Sequence, residues 1–296
     1  MTIGMKPGAE VTIGPSLVRA LLEEQHPDLA RLTPVKVAEG WDNALFRLGD
    51  KLAVRLPRRA ASAKLIEHEQ RWLPQLAARL PLAAPVPLRI GVPGRLFGWS
   101  WSIVRWLPGE SLLHGSLLDT VATTIVLEEL FRALHQPAPM DAPSNPWRGV
   151  PLAARTDALH KHLEQVDDSV DRNAVLSLWE QALSAPPWPG PPVWLHGDLH
   201  PGNLLVNDGR LSGVIDFGDV TSGDPATDLA VLWMLPPSIR ARFNAWMGAD
   251  VQALQMRTRG WALALGLAYL AHSRDDTAMA NLSQRTIAAV LKGHNH

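Results

Sequence analysis

Cysteine is missing from all 296 residues, which excludes disulfides, thiolate catalysis and cysteine-held metal sites. Neither charge sign dominates. The 28 Lys+Arg stand against 29 Asp+Glu for a formal net charge of -1, so no nucleic-acid or anionic-membrane partner is expected. Long apolar runs are lacking too: the longest, Trp261 to Ala271, is too short to cross a bilayer and reads as a buried helix. The opening MTIGMKPGAEVTIG lacks the apolar core of an export signal, which makes the cytoplasm the expected compartment. No H-E-x-x-H, no G-x-G-x-x-G, no internal repeat and no sustained heptad occurs. A chain of this length nevertheless buries a sizeable core, as one large or two small domains.

What is present concentrates between Val193 and Asp228. His196-Gly197-Asp198-Leu199-His200-Pro201-Gly202-Asn203 is followed by Ile215-Asp216-Phe217-Gly218. The pair matches H-x-D-L-x-x-x-N and D-F-G, the catalytic and metal-binding loops of protein-kinase-like phosphotransferases. Phosphoryl transfer needs in-line positioning and cancellation of phosphate charge. A carboxylate at Asp198 suits an acceptor hydroxyl that must be oriented and lose its proton. The amide oxygen of Asn203 and the carboxylate of Asp216 suit Mg²⁺, which takes hard oxygen ligands. Between them the sequence reads strand, Asp208-Gly209 turn, strand, a hairpin that brings the two metal ligands together. A zinc site on His196, Asp198 and His200 is the competing reading, but that histidine pair spans a Pro-Gly loop rather than a helix.

Upstream, a helix is expected over Ser16 to Gln25. Strands are expected at Val35–Val37, Ala44–Leu48, Leu52–Leu56, Leu88–Gly91 and Trp99–Trp106. A second helix reads from about Ser62 to Arg79, interrupted or capped near Pro74. Strands with one intervening helix and then mostly helices imply an α+β bilobal fold. Its β-rich, nucleotide-binding N-lobe would span 1–107. A larger, mostly helical C-lobe with the catalytic loop and acceptor-binding helices would span 108–296. Gly40-Trp41-Asp42-Asn43 stands where a phosphate-covering loop belongs, with Asn43 able to meet phosphate oxygens; an ordinary Asp-Asn turn is the alternative. Arg55 stands at the strand position of the phosphate-binding lysine, and its partner is expected at Glu69, with Glu67 second. Arg58 and Arg59 read as surface charges. Val104, Arg105 and Trp106, at the end of the last strand, are expected to offer backbone groups to an adenine edge.

On these residues the chain resembles the aminoglycoside phosphotransferase family, small-molecule kinases with a protein-kinase-like fold. The resemblance covers most of the chain and is most specific over His196 to Asp228. It implies Mg²⁺ and ATP, with GTP possible, as cofactor and phosphoryl donor, and a small-molecule acceptor with a hydroxyl. It also implies that His196, Asp224 and Asp228 support the catalytic loop and that His135 ends a helix in a structural role. Gly223-Asp224-Pro225 follows Gly218 within a few residues, which leaves no room for a long activation segment, so no protein substrate is expected. The implied acceptor is an aminoglycoside-type antibiotic, for which Asp157, Glu164, Asp167, Asp168, Asp171, Asp275 and Asp276 are candidate acids. Gly293-His-Asn-His296 lacks the carboxylates that some aminoglycoside kinases carry at that end. A macrolide or other metabolite alcohol, bound by walls such as Trp233, Trp246 and Trp261, is the alternative. A catalytically idle nucleotide-binding scaffold is the alternative from another class.

Overall fold

The computed structural model describes residues 8–246, 251–273 and 275–293. α1 (Pro15–Gln25) starts on a proline, whose missing amide is harmless in a helix's first turn. Strands β1 (Pro34–Glu39), β2 (Asn43–Leu48) and β3 (Leu52–Pro57) form a meander, followed by α2 (Ala60–Ala77), β4 (Pro87–Gly91) and β5 (Trp101–Arg105). The sheet order is β1-β2-β3-β5-β4, with every neighbour antiparallel. Along β2, Ala44, Phe46 and Leu48 are buried and alternate with half-buried Asn43, Leu45 and Arg47. This period of two turns the first set into a core with Val18, Leu21 and Leu22 of α1. Directly opposed residues of an antiparallel pair share a face. The pairs Leu45–Arg55, Arg47–Ala53, Ala53–Val104 and Arg55–Ser102 therefore all point away from α1 and roof a cleft.

α2 departs from its sequence reading. It runs unbroken from Ala60 to Ala77 with Pro74 inside it. An interior proline costs about 3 kcal/mol or more. Trp72, Leu73 and Leu76 beside it are all buried in core clusters, and burial of such side chains stabilises by ~1.5–3 kcal/mol each, enough to offset the loss.

The rest of the chain is mostly helical: β6 (Glu110–Ser111), α3 (Thr120–Leu134), α4 (Thr156–Gln165), α5 (Arg172–Ser184), β7 (Val193–Leu195), β8 (Leu204–Asn207), β9 (Arg210–Val214), β10 (Thr221–Gly223), α6 (Ala226–Leu229), α7 (Pro237–Trp246), α8 (Val251–His272) and α9 (Thr277–Lys292). α8 lies at the centre, packed by α4, α5, α6 and α9, which is why its stretch from Trp261 to Ala271 is apolar on all sides. Among the described residues no helix is long and apolar enough to cross a membrane. Two small sheets, β6-β8-β9 and β10-β7, hold the loops that matter. The segment from His196 to Asn203 links β7 to β8, and Asp216 lies just beyond β9. The β8–β9 turn is Asp208-Gly209, both at positive φ (50° and 71°), the geometry a tight hairpin requires.

Candidate functional site

The loop after β7 is fixed from beneath. Asp228, fully buried, accepts hydrogen bonds from the main-chain amides of His196 (2.8 Å) and Gly197 (2.9 Å), and His135 Nε2 lies 3.2 Å from the same carboxylate. His196 Nε2 donates to Ile215 O at 2.9 Å and its Nδ1 accepts from Asp198 N at 3.2 Å, one tautomer serving both bonds. His196 thus ties the Asp198 loop to the residue before Asp216. Gly197 sits at φ 87°, and a Cβ there would come within 2.2 Å of Asp219 O, so the arginine common here in protein kinases has no room. Asp224 differs from its expected role. It accepts from Arg257 Nε (2.7 Å) and Ala226 N (3.0 Å), anchoring α8 and starting α6, while Asp228 alone of the two acids bonds the loop.

Asp198, Asn203 and Asp216 are brought together. Asn203 Nδ2 donates to Asp198 O at 2.9 Å, which directs its amide oxygen elsewhere, and Ile215 N donates to Asn203 O at 2.9 Å. Asp216 adopts a left-handed conformation (φ 62°), tolerated by short polar residues, and its side chain is half exposed. Asn203 and Asp216 are hard oxygen donors, and among the described residues no group of three His, Asp or Glu residues could hold a metal ion. That set fits an ion such as Mg²⁺, which completes its shell with nucleotide oxygens and water. The zinc reading does not fit, because His196 uses both ring nitrogens and His200 Nδ1 accepts from Gly202 N at 3.0 Å.

On the roof, Arg55 is buried between two carboxylates. Nη1 donates to Glu69 and Nη2 donates to Asp216 Oδ1 at 2.9 Å. Glu67 instead accepts from Ser100 Oγ at 3.2 Å. Burial, helped by the negative charge of Asp216 and opposed by Arg55, pushes the Glu69 carboxyl up to about 7. Arg55 is lowered by burial, but Glu69 and Asp216 outweigh that and carry it above its ordinary value. The two directions pull against each other; a guanidinium is effectively always charged, so the partial neutralisation belongs to Glu69. Replacing Arg55 by Met should weaken Mg-nucleotide affinity about tenfold or more, by loss of a charge-assisted contact. Titration calorimetry would read it, and unchanged affinity would remove Arg55 from the site.

Two expectations on this side need correction. Arg58 and Arg59 are not surface charges. Arg58 is buried and donates to Gly40 O (2.9 Å) and Trp41 O (3.2 Å), while Arg59 pairs with Asp42 Oδ1 at 2.8 Å, which Ser62 Oγ also meets at 2.6 Å. They fasten the 40–43 loop to the start of α2, and Asn43 Oδ1 is left buried without a partner. The second correction concerns the adenine edge. Val104 lies in the ladder opposite Ala53 and Pro87, so its backbone groups point along the sheet and its side chain faces the cleft. Trp106 N already donates to Lys51 O at 2.8 Å, leaving only the carbonyl of that residue.

A second wall is built around Asp198. Arg148 Nη2 (2.9 Å) and Tyr269 OH (2.7 Å) both donate to Asp198 Oδ1, and His200 Nε2 lies 3.6 Å from Oδ2. Burial pushes the carboxyl up, yet Arg148, His200 and Tyr269 outweigh it and hold Asp198 well below the usual carboxylate range. Asp219, which accepts from Asn145 Nδ2 at 2.6 Å, is pushed up to about 6 by burial and by the charges of Asp198 and Asp216, against Arg148. Next to Arg148 lie Arg155, His162 and His272; His272 also meets the ring of Trp41 edge-on at 5.5 Å, joining the 40–43 loop to α8. Three of the candidate acids are engaged locally. Asp171 caps α5, Asp276 caps α9, and Asp167 accepts from Ser169. Trp261 is core, Trp233 packs against that core under Arg240, and the side chain of Trp246 and the residues after Gly293 lie outside the described residues.

Residues 33–264 match the model of the phosphotransferase enzyme family. The chain belongs to that family. Over 167 residues it is 31% identical to an aminoglycoside 3'-phosphotransferase of Escherichia coli, a match covering 51% of this chain and 59% of that protein, so little more than half of that relative's length. Over 274 residues it is 28% identical to a homoserine kinase of Methylocella silvestris, covering 83% of each. The fold is similar to that of aminoglycoside 2'-phosphotransferase-IIIa in its GDP complex, with a TM-score of 0.72 at 20% identity, covering 94% of this chain and 99% of the other. The α+β, protein-kinase-like architecture is thereby established.

In this member of the phosphotransferase family, Arg148, Arg155, His162, Tyr269 and His272 were not singled out from the sequence. Tyr269 carried a usable signal, as the one tyrosine of the chain inside an otherwise apolar helix. Arg148 carried none, since its partner Asp198 is distant in sequence, and Arg155 carried none, since its burial is set by the fold. Burial, with the positive charges of His272 and Arg155, lowers His162 from 6.5 to about 4. As pH falls from 6.5 the unfolded chain takes up this proton first, so this contribution to stability is full above pH 6.5 and is lost toward pH 4. The melting temperature of wild type should fall relative to His162→Gln over that window. A constant difference between the two across the window would mean that the ring is not held neutral.

Proposed function

We propose that this chain transfers the γ-phosphate of ATP, or of GTP, to a hydroxyl of a small molecule in a Mg²⁺-dependent reaction. The observation that carries this reading is the convergence of Asp198, Asn203 and Asp216, with Arg55 holding Asp216 from the roof. Residues 1–107 act as the nucleotide-binding lobe and 108–296 as the catalytic and acceptor-binding lobe. Asn203 and Asp216 hold Mg²⁺, which supplies charge neutralisation at the phosphates. Arg55 and the 40–43 loop neutralise and cover phosphate oxygens, and Leu45, Ala53 and Val104 give the base an apolar ceiling. Asp198 orients the acceptor hydroxyl. Its carboxylate stays ionised beside Arg148 and is a weak base, which suits a loose transition state in which the proton leaves late. A nucleotide-dependent reaction belongs to the cytoplasm.

An aminoglycoside acceptor is the reading that the Escherichia coli relative favours. A smaller metabolite alcohol is the second reading. It is favoured by the homoserine kinase relative and by a wall of Arg148, Arg155, His162 and His272 where a polycation would need acids. The test is ADP release with Mg-ATP and Mg-GTP against kanamycin, a macrolide and small hydroxy compounds. Turnover by any of them supports the transferase, and the active panel member names the class. Absence of both turnover and nucleotide binding would defeat it.

A further inference from the structure

Arg155 has a feature that the phosphoryl-transfer chemistry leaves unused. Its side chain is buried, with only 4% of the residue exposed, yet Nε and Nη1 have no hydrogen-bond partner. No carboxylate forms an ion pair with it among the described residues; Trp147 lies over the guanidinium, 5.0 Å from ring centroid to Cζ. Arg148 is in the same condition on one side. Its Nη2 holds Asp198, but its Nε is buried and unpartnered. The two charges are close enough that Arg148, after burial itself, helps to lower Arg155 to about 10. Burying a cation with unpaired donors is expensive, and two such cations side by side more so. A protein that keeps them folds with an unmet demand for an anion next to the Arg148 side chain that holds Asp198. The guanidinium fork is built for a two-oxygen anion, and three unpartnered nitrogens, carrying four N–H groups, match a carboxylate's lone pairs.

We propose that the acceptor is a small alcohol bearing a carboxylate, and that Arg155, with Nε of Arg148, receives that carboxylate while Asp198 holds the hydroxyl. The proposal rests on the transferase reading above and narrows it. Trp147, which lies over the Arg155 guanidinium, is itself 56% exposed, so solvent reaches the ring that screens these donors. An aminoglycoside would bring ammonium groups against two guanidinium groups and two imidazoles, and the neighbouring acids, Asp198 and Asp219, already accept hydrogen bonds from Arg148, Tyr269 and Asn145.

The test pairs acceptors that differ in the carboxylate alone. Homoserine is compared with homoserine amide, and glycolate with ethylene glycol; glycerol 3-phosphate and kanamycin are the controls. Each is run for ADP release with wild type and Arg155→Met. The expected result is turnover with one or more of the acids, its loss or a large KM rise with the paired neutral compound, and a KM for the acid about 10- to 100-fold higher in Arg155→Met. The KM for ATP should be the same in both proteins. Unliganded Arg155→Met should melt no lower than wild type, since the variant removes an unpaired buried charge; that also shows it folds. Equal use of acid and neutral partner, preference for kanamycin or the phosphate ester, or an unchanged acid KM in Arg155→Met would each overturn the carboxylate site and leave the kinase standing. No response to any acid, with Mg-ATP still raising the melting temperature, would overturn the site as well. Failure of Mg-ATP to bind or react would defeat the transferase reading itself, and the inference with it.

Discussion

Asp198→Asn should lower turnover by about 10²–10⁴-fold while leaving Mg-nucleotide affinity unchanged. The substitution keeps size and shape. It removes the negative charge that Arg148 and Tyr269 hold in place at 2.9 and 2.7 Å. The amide still accepts one hydrogen bond, so the loop has no reason to unfold, and Asn203 still reaches the unchanged carbonyl of residue 198. The nucleotide contacts proposed for Arg55, Asn203 and Asp216 are untouched. What is lost is the ionised group proposed to orient the acceptor hydroxyl and to take its proton as the bond to phosphorus completes. Single-turnover kinetics with an active acceptor, together with calorimetry for Mg-ATP, separates the two effects. Wild-type turnover in the variant would mean that another group, Asp219 being the nearest candidate, does this work.

Asp228→Ala should have the largest effect on stability. Its carboxylate is fully buried and receives the amides of His196 and Gly197. Removing it strands two buried amides, each worth about 1–3 kcal/mol of unmet desolvation, and leaves His135 facing a void. A loss of roughly 3–5 kcal/mol follows, which for a chain of this size lowers the melting temperature by roughly 6–15 °C. Turnover should fall too, because these two amides set the start of the loop that carries Asp198. Asp228→Asn should lie between, since one amide keeps an acceptor. Thermal and urea melts measure the first effect and ADP release the second. A melting temperature within a degree or two of wild type would show that water or main chain replaces the carboxylate, and that the loop is held by its ends alone.

The chemistry-bearing residues were legible because they are local. Asp198 and Asn203 sit five positions apart on one loop, and the Asp208-Gly209 turn, with both residues at positive φ, returns the chain to Asp216. Spacing and turn chemistry specify such a unit without knowledge of the rest. Strand alternation in β2 and the amphipathic spacing of α1 were legible for the same reason. Propensity failed at Pro74, where tertiary burial overrode a local penalty. Charge failed at Arg58 and Arg59, which composition assigns to the surface and the fold uses as internal ties for a loop. Val104 and the Trp106 amide were misjudged as free backbone groups because pairing depends on neighbouring strands that a single strand does not reveal.

The sequence by itself therefore determined the reaction class: the carboxylate, the two metal-suited oxygen donors and the hairpin that joins them follow from residue type and short spacing. Only the tertiary structure decided what surrounds the carboxylate. Arg148, Arg155 and His162 from one stretch of the chain and Tyr269 from another reach one wall, with Tyr269 71 positions from Asp198. Their convergence, and the empty donors it leaves on Arg155, come from packing α4 against α8, and long-range packing leaves no trace in the spacing of letters.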